Sequence, residues 1–269
     1  MDISGYGTFC WAEVAVGDLK TAQRFYTELF GWAPRELGIG RGWSYTVLEA
    51  DSEAIAGLYE IGPTQRAKGA TPAWHAYVLV KDVEAVTEQV LELDGTVLSP
   101  PLDIADIGRM AVVRDPQGAV FCLWQEPPEH VPRGTTETRL GRICWTDLMT
   151  TDTDSAAMFY AALFGWSAVA RNDGDASSVD FLLGGVPVAG MERITPADPD
   201  LTPRWIATVA VADVDFAIRR AVRLGGRVVR NPADRPGMGR IAVVSGPDEA
   251  PFAVVRLLGA DASEESAAD

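Results

Sequence analysis

The chain has 269 residues, 47% of them hydrophobic and 23% charged, with 23 Lys or Arg against 38 Asp or Glu for a formal charge of −15. That is enough for two cores of roughly 125 residues each, and a field of this sign repels phosphate backbones and anionic bilayers, so neither nucleic acid nor membrane is an expected partner. No apolar run reaches the roughly 18 to 20 residues of a bilayer span, Met1 to Gly7 lacks a basic and apolar secretory leader, and Cys10, Cys122 and Cys144 are too few and too scattered for a disulfide framework, which together place the chain in the cytoplasm.

In chain order, Phe9-Cys10-Trp11-Ala12-Glu13-Val14 reads as a strand and Asp18 as the N-cap of a helix with its apolar stripe at Leu19, Ala22, Phe25, Tyr26, Leu29 and Phe30. Gly31 stops that helix. Short runs bounded by Gly and Pro then predict strands over Trp43 to Glu49, Ala54 to Ile61, Trp74 to Val80, Arg109 to Arg114 and Ala119 to Trp124. Val80-Lys81-Asp82-Val83 restates the strand-to-helix turn of Val16-Gly17-Asp18-Leu19, so the half is itself double. Everything then recurs. Ile143-Cys144-Trp145-Thr146-Asp147-Leu148 repeats the first strand, Phe159-Tyr160 with Leu163-Phe164-Gly165-Trp166 repeats the helix end, and Gly239-Arg240-Ile241-Ala242-Val243-Val244 repeats Gly108-Arg109-Met110-Ala111-Val112-Val113.

The pattern is a tandem duplication of an α+β domain: four βαβββ modules whose curved mixed sheets form cup-like clefts. The expected division is a first domain over 1–126, a linker over 127–140, a second domain over 141–259 and a disordered acidic tail over 260–269. The Phe-Tyr pairs, Trp32, Trp166, Trp74 and Trp205 read as core, and Arg109 and Arg240 as ion-pairing residues. Gly38-Ile39-Gly40-Arg41-Gly42 lacks the strand-to-helix context of a phosphate loop.

Helices ending Phe-Tyr-x-x-Leu-Phe-Gly-Trp, paired with Asp115-Pro116-Gln117-Gly118-Ala119-Val120-Phe121, resemble the vicinal oxygen chelate superfamily, which comprises glyoxalases, bleomycin-resistance proteins and extradiol dioxygenases. The likeness spans about residues 9 to 257 and is greatest to a two-domain actinobacterial branch without one agreed activity. It implies a divalent metal in the cup, held by His, Gln or Glu. At the positions the resemblance assigns to ligands this sequence carries Trp11, His75 and Cys122 in the first half and Trp145, Ile206 and Ala253 in the second. An indole offers a metal no lone pair.

Strand alternation sends Trp11, Glu13, His75, Tyr77, Cys122 and Trp124 into the first cup, and Trp145, Asp147 and Thr208 into the second, which reads as the less polar of the two. The leading expectation is a binding protein without metal or cofactor, resembling the antibiotic-binding resistance proteins, that sequesters a small planar aromatic compound, neutral or cationic. An enzyme is the rival: a lyase, isomerase or oxygenase of secondary metabolism, metal-free through Glu13 and His75 or metal-dependent through His75, Cys122 and Glu13. A regulatory protein without a small ligand is the third reading, and the chain is expected to be a monomer or a homodimer.

Overall fold

A computed structural model describes residues 5–38, 44–127, 139–171 and 178–258. The acidic tail and most of the linker and of the glycine-rich segment after Gly38 lie outside the described residues. The first half runs β1 (Phe9–Val16), α1 (Leu19–Phe30), β2 (Ala33–Gly38), β3 (Ser44–Ala50), β4 (Glu53–Glu60), a short α2 (Pro63–Ala67), β5 (Ala73–Leu79), α3 (Val83–Glu92), β6 (Thr96–Ile104), β7 (Gly108–Arg114) and β8 (Val120–Gln125). The second half runs β9 (Ile143–Thr150), α4 (Thr153–Phe164), β10 (Ser167–Ala170), β11 (Ser178–Leu183), β12 (Val186–Arg193), β13 (Arg204–Ala210), α5 (Val214–Arg223), β14 (Arg227–Arg235), β15 (Gly239–Ser245) and β16 (Pro251–Leu257). No helix among the described residues is long and apolar enough to cross a membrane.

Each half contributes one eight-stranded mixed sheet, ordered β2-β3-β4-β1-β5-β8-β7-β6 and β10-β11-β12-β9-β13-β16-β15-β14. In the first sheet β1 pairs parallel with β4 and antiparallel with β5, and β5 pairs parallel with β8. The second sheet copies this arrangement with β9, β12, β13 and β16. Asp18, Asp82, Asp152 and Asp213 all accept hydrogen bonds from first-turn amides. Gly31 and Gly165 close α1 and α4 at φ 77° and 73°, a left-handed conformation that a Cβ disfavours. Strands β2 and β6 went unread in the sequence because both are sheet edges. The first is mostly exposed, and the second carries Pro100 and Pro101 where its register shifts.

The core belongs to neither half alone. Ala12, Val14 and Val16 of β1 pack with Phe25 and Tyr26 of α1, and the same cluster takes in Val209, Val214, Ala217 and Phe252 of the second half. Reciprocally, Val78, Val90 and Phe121 cluster with Phe159, Tyr160, Trp166 and Trp205. Indole hydrogen bonds cross the seam in both directions: Trp32 Nε1 donates to the Gly141 carbonyl at 2.7 Å, and Trp166 Nε1 to the Gly7 carbonyl at 2.8 Å. Trp74 and Trp205 each donate to the Tyr hydroxyl of a helix, Tyr26 and Tyr160, at 3.1 Å. All four tryptophans are therefore core, with their N–H groups satisfied on burial.

Candidate functional site

With Ala12, Val14 and Val16 fixed toward the helices, Trp11 and Glu13 stand on the opposite face of β1. The antiparallel register sets Trp11 opposite Tyr77 and Glu13 opposite His75, and β8 places Cys122 beside Tyr77 and Trp124 beside Leu79. The six residues assigned to the first cup thus share one patch of sheet. Tyr77 and Trp124 meet edge to face, with ring centroids 6.4 Å apart.

Tyr45 of β3 completes the patch. Trp11 Nε1 donates to the Tyr45 hydroxyl at 3.0 Å, and that hydroxyl donates to Glu13 Oε2 at 3.0 Å. Because an indole N–H can only donate, the phenol proton must point at the carboxyl. Tyr45 reaches Glu13 by lying across Gly57, where a Cβ would come within 1.8 Å of the phenol oxygen. Tyr77 faces Glu13 from β5, its hydroxyl donating to Met110 Sδ at 3.9 Å, and Tyr59 closes the β4 side. Glu13 is 7% exposed and, among the described residues, has no Arg or Lys paired with it. Burial therefore raises its pKa above the ordinary value, against the pull of the two phenols. Burial also lowers His75 to about 4, so its imidazole is neutral at pH 7. The His75 imidazole makes no hydrogen bond among the described residues.

A metal does not suit this set. Internal symmetry matches Cys122, beside Tyr77, to Gly57, beside Glu13, so the four corners of the first cup are Trp11, Gly57, His75 and Cys122. Only two of those carry donors. Burial and the nearby Glu13 push the Cys122 thiol well above its ordinary value, which disfavours a nucleophile. Among the described residues no three His, Cys, Asp or Glu side chains form an ion-holding group, so His75, Cys122 and Glu13 do not assemble into the metal site entertained from the sequence. The second cup offers Trp145, Gly190, Ile206 and Ala253 at the same corners.

The second cup overturns its expected low polarity. Trp145 Nε1 donates to Asp147 Oδ1 at 3.3 Å, and Asp147 also pairs with Arg171 at 3.2 Å. Arg171 lies across Gly190 as Tyr45 lies across Gly57, and it pairs with Asp180 at 2.8 Å. Glu192 is held by Arg230 at 2.6 Å and by Arg235, and Arg230 also reaches Asp198 at 2.8 Å. Thr208, opposite Trp145, is buried, and its hydroxyl has no partner among the described residues. The charges leave a cavity of about 20 Å³ lined by Asp147, Glu192, Ile206, Arg230 and Arg235, room for one water. Arg230 and Arg235 sit on the edge strand β14, where no periodicity announces them. Gly57 and Gly190 were readable, since Ala56-Gly57-Leu58 recurs as Ala189-Gly190-Met191. Arg109 and Arg240 are engaged as the sequence suggests: each pairs with two acids, Arg109 with Glu84 and Asp103, and Arg240 with Asp215 and Asp234.

Comparison with known proteins fits this architecture. The family model described as Glyoxalase/Bleomycin resistance protein/Dioxygenase superfamily matches residues 8–123 and 142–254. CFP32 of Mycobacterium tuberculosis, provisionally named a glyoxylase, is 34% identical over 251 residues, 93% of this chain and 95% of that one. The anthracycline biosynthesis protein DnrV of Streptomyces peucetius is 32% identical over 262 residues, covering 93% and 94%. Among solved structures, the 2,3-dioxygenase LapB of Pseudomonas sp. KL28 superposes with a TM-score of 0.61 over 94% of this chain and 93% of its own, at 12% identity. That likeness concerns the fold alone.

Proposed function

The chain belongs to the Glyoxalase/Bleomycin resistance protein/Dioxygenase superfamily, and from that premise we propose that it binds a small, largely planar aromatic compound in the first cup and holds it without a metal. The observation that carries this reading is the wall of Trp11, Tyr45, Tyr59, Tyr77 and Trp124 around Glu13, standing at and beside corners from which coordinating atoms are missing. Aromatic faces give a flat ring stacking contacts worth about 0.5–1.5 kcal/mol each beyond the area they bury. The second cup is instead filled by its own ion pairs, with space for about one water between them. The name of DnrV supports a ligand class as well, since anthracyclines are planar and polycyclic.

Titration with polycyclic quinones and anthracenes tests this directly. Quenching of Trp11 and Trp124 fluorescence is expected, with the compound recovered chemically unchanged, and substitution Trp11→Ala should weaken binding about tenfold. A panel that leaves the fluorescence unmoved refutes the reading.

One observation favours an enzymatic alternative. Glu13 and His75 face each other across β1 and β5, a carboxyl held above its ordinary range beside a neutral imidazole, and such a pair can take a proton from a bound carbonyl compound and return it. Turnover abolished in Glu13→Gln with binding retained would establish that role in place of sequestration.

A further inference from the structure

The two halves answer one electrostatic problem differently. Glu13 and Asp147 occupy matched places, each five residues ahead of the aspartate that caps the next helix, and each is buried. In the second cup the chain supplies the counter-ion itself, a flat guanidinium from Arg171 laid across Gly190 and 3.2 Å from Asp147. In the first, the place across Gly57 is taken by the uncharged phenol of Tyr45, and no cation among the described residues pairs with Glu13. A buried carboxyl ringed by Trp11, Tyr45, Tyr59, Tyr77 and Trp124 is the chemistry that receives an organic cation, through the carboxylate at short range and the aromatic faces around it.

We propose that the ligand of the first cup is an organic cation, a protonated amine carried on a flat ring system, which pairs with Glu13 as Arg171 pairs with Asp147. This assignment rests on the aromatic-ligand reading above and narrows it. The chain's formal charge of −15 favours approach of such a ligand over long range.

The groups facing Glu13 from each neighbouring strand are Tyr45 of β3, Tyr59 of β4, His75 and Tyr77 of β5, and Cys122 of β8. Cys10, at the bulge of β1, acts on Cys122, and Glu126 past the end of β8 acts on Cys10. Burial keeps the phenols and thiols protonated and His75 neutral above about 4, and it raises Glu13 from its ordinary value. Arrival of an ammonium group stabilises the Glu13 carboxylate, and at a pH low enough for the carboxyl to be protonated its proton passes to the buffer.

The test compares aminomethylanthracene with hydroxymethylanthracene, two probes on one ring system, by calorimetry on the full chain in buffers of different ionisation enthalpy. The amine is expected to bind about tenfold more tightly than the alcohol, to strengthen as pH rises from about 4 to about 8, and to release a proton at the acid end of that range, while Glu13→Gln should cut its advantage to less than about threefold. Equal affinities, or an advantage that survives Glu13→Gln, would overturn the assignment and leave the aromatic-ligand reading intact. Binding of neither probe removes that reading and this one together. Should Glu13→Gln fail to fold, the wild type decides by itself: a proton released with the amine but not with the alcohol supports the pairing, and identical behaviour refutes it.

Discussion

Trp11 donating to Tyr45, and Tyr45 to Glu13, fixes the polarity of a hydrogen-bonded chain in the first cup. Its end point is a carboxyl that burial holds above its ordinary value of 4.5. The sign of the stability effect follows. A folded-state value raised above the unfolded one gives a contribution that is complete below the unfolded value and lost as pH rises through the folded one. Glu13→Gln, which keeps an acceptor for Tyr45 and removes the titration, should therefore melt with wild type near about pH 4 and above it at about pH 8, and thermal melts across that range measure the difference. Equal melting temperatures at both ends would mean that Glu13 is not desolvated. His75 acts in the opposite direction, since its value is lowered to about 4: its contribution is complete above about 6.5 and lost as pH falls toward 4. The residue types in this site were legible from strand alternation. Their charge states were not, because desolvation depends on Tyr45 and Tyr59, which arrive from strands remote in sequence.

At the scale of the element, a glycine on the last strand of each leading module makes space for a side chain that reaches it from elsewhere in the sheet: Tyr45 from β3 and Arg171 from just past β10. Gly57 of β4 admits Tyr45, and Gly190 of β12 admits Arg171. A methyl group at Gly57 comes within 1.8 Å of the Tyr45 oxygen, and one at Gly190 within 1.8 Å of Asp147 Oδ1 and 2.1 Å of Arg171 Nη2. Gly57→Ala should swing Tyr45 off Glu13 at a cost of about 1–3 kcal/mol. Gly190→Ala should cost more, because it separates Arg171 from two acids in a buried setting. Urea denaturation of the two variants ranks them, and a larger loss for Gly57→Ala would contradict this account. The helices were readable from caps and stripes. The edge strands β2 and β6 were not, since exposed, proline-bearing segments carry little of the alternation that burial imposes.

For the whole molecule, the decisive feature is that the two large core clusters each draw on both halves, while a smaller one around Met149, Ile206 and Val243 belongs to the second half. Module one packs on module four and module two on module three, and Trp32 and Trp166 donate across the seam. Gln117 reinforces it: its amide donates to the Asp152 carbonyl at 2.7 Å and accepts from Thr150, Thr151 and the Asp152 amide. A sheet that closes within one half but buries its helices against the other cannot satisfy its apolar face alone. Equilibrium unfolding should accordingly be one transition, coincident by circular dichroism and tryptophan fluorescence, and either half expressed alone should fail to fold. Two resolved transitions would show that the halves are independent.

The sequence by itself determined the duplication, the four modules, the capped helices and the residues on each cup floor, because these follow from local periodicity and from repetition along the chain. Only the tertiary structure decided how the cups differ. Tyr45 and Arg171 come to matched carboxyls from elsewhere in their sheets, and Arg230 and Arg235 close the second cup from an edge. Whether a buried charge is paired depends on which side chains share its few ångströms of space. That proximity is set by folding, and spacing along the chain does not encode it.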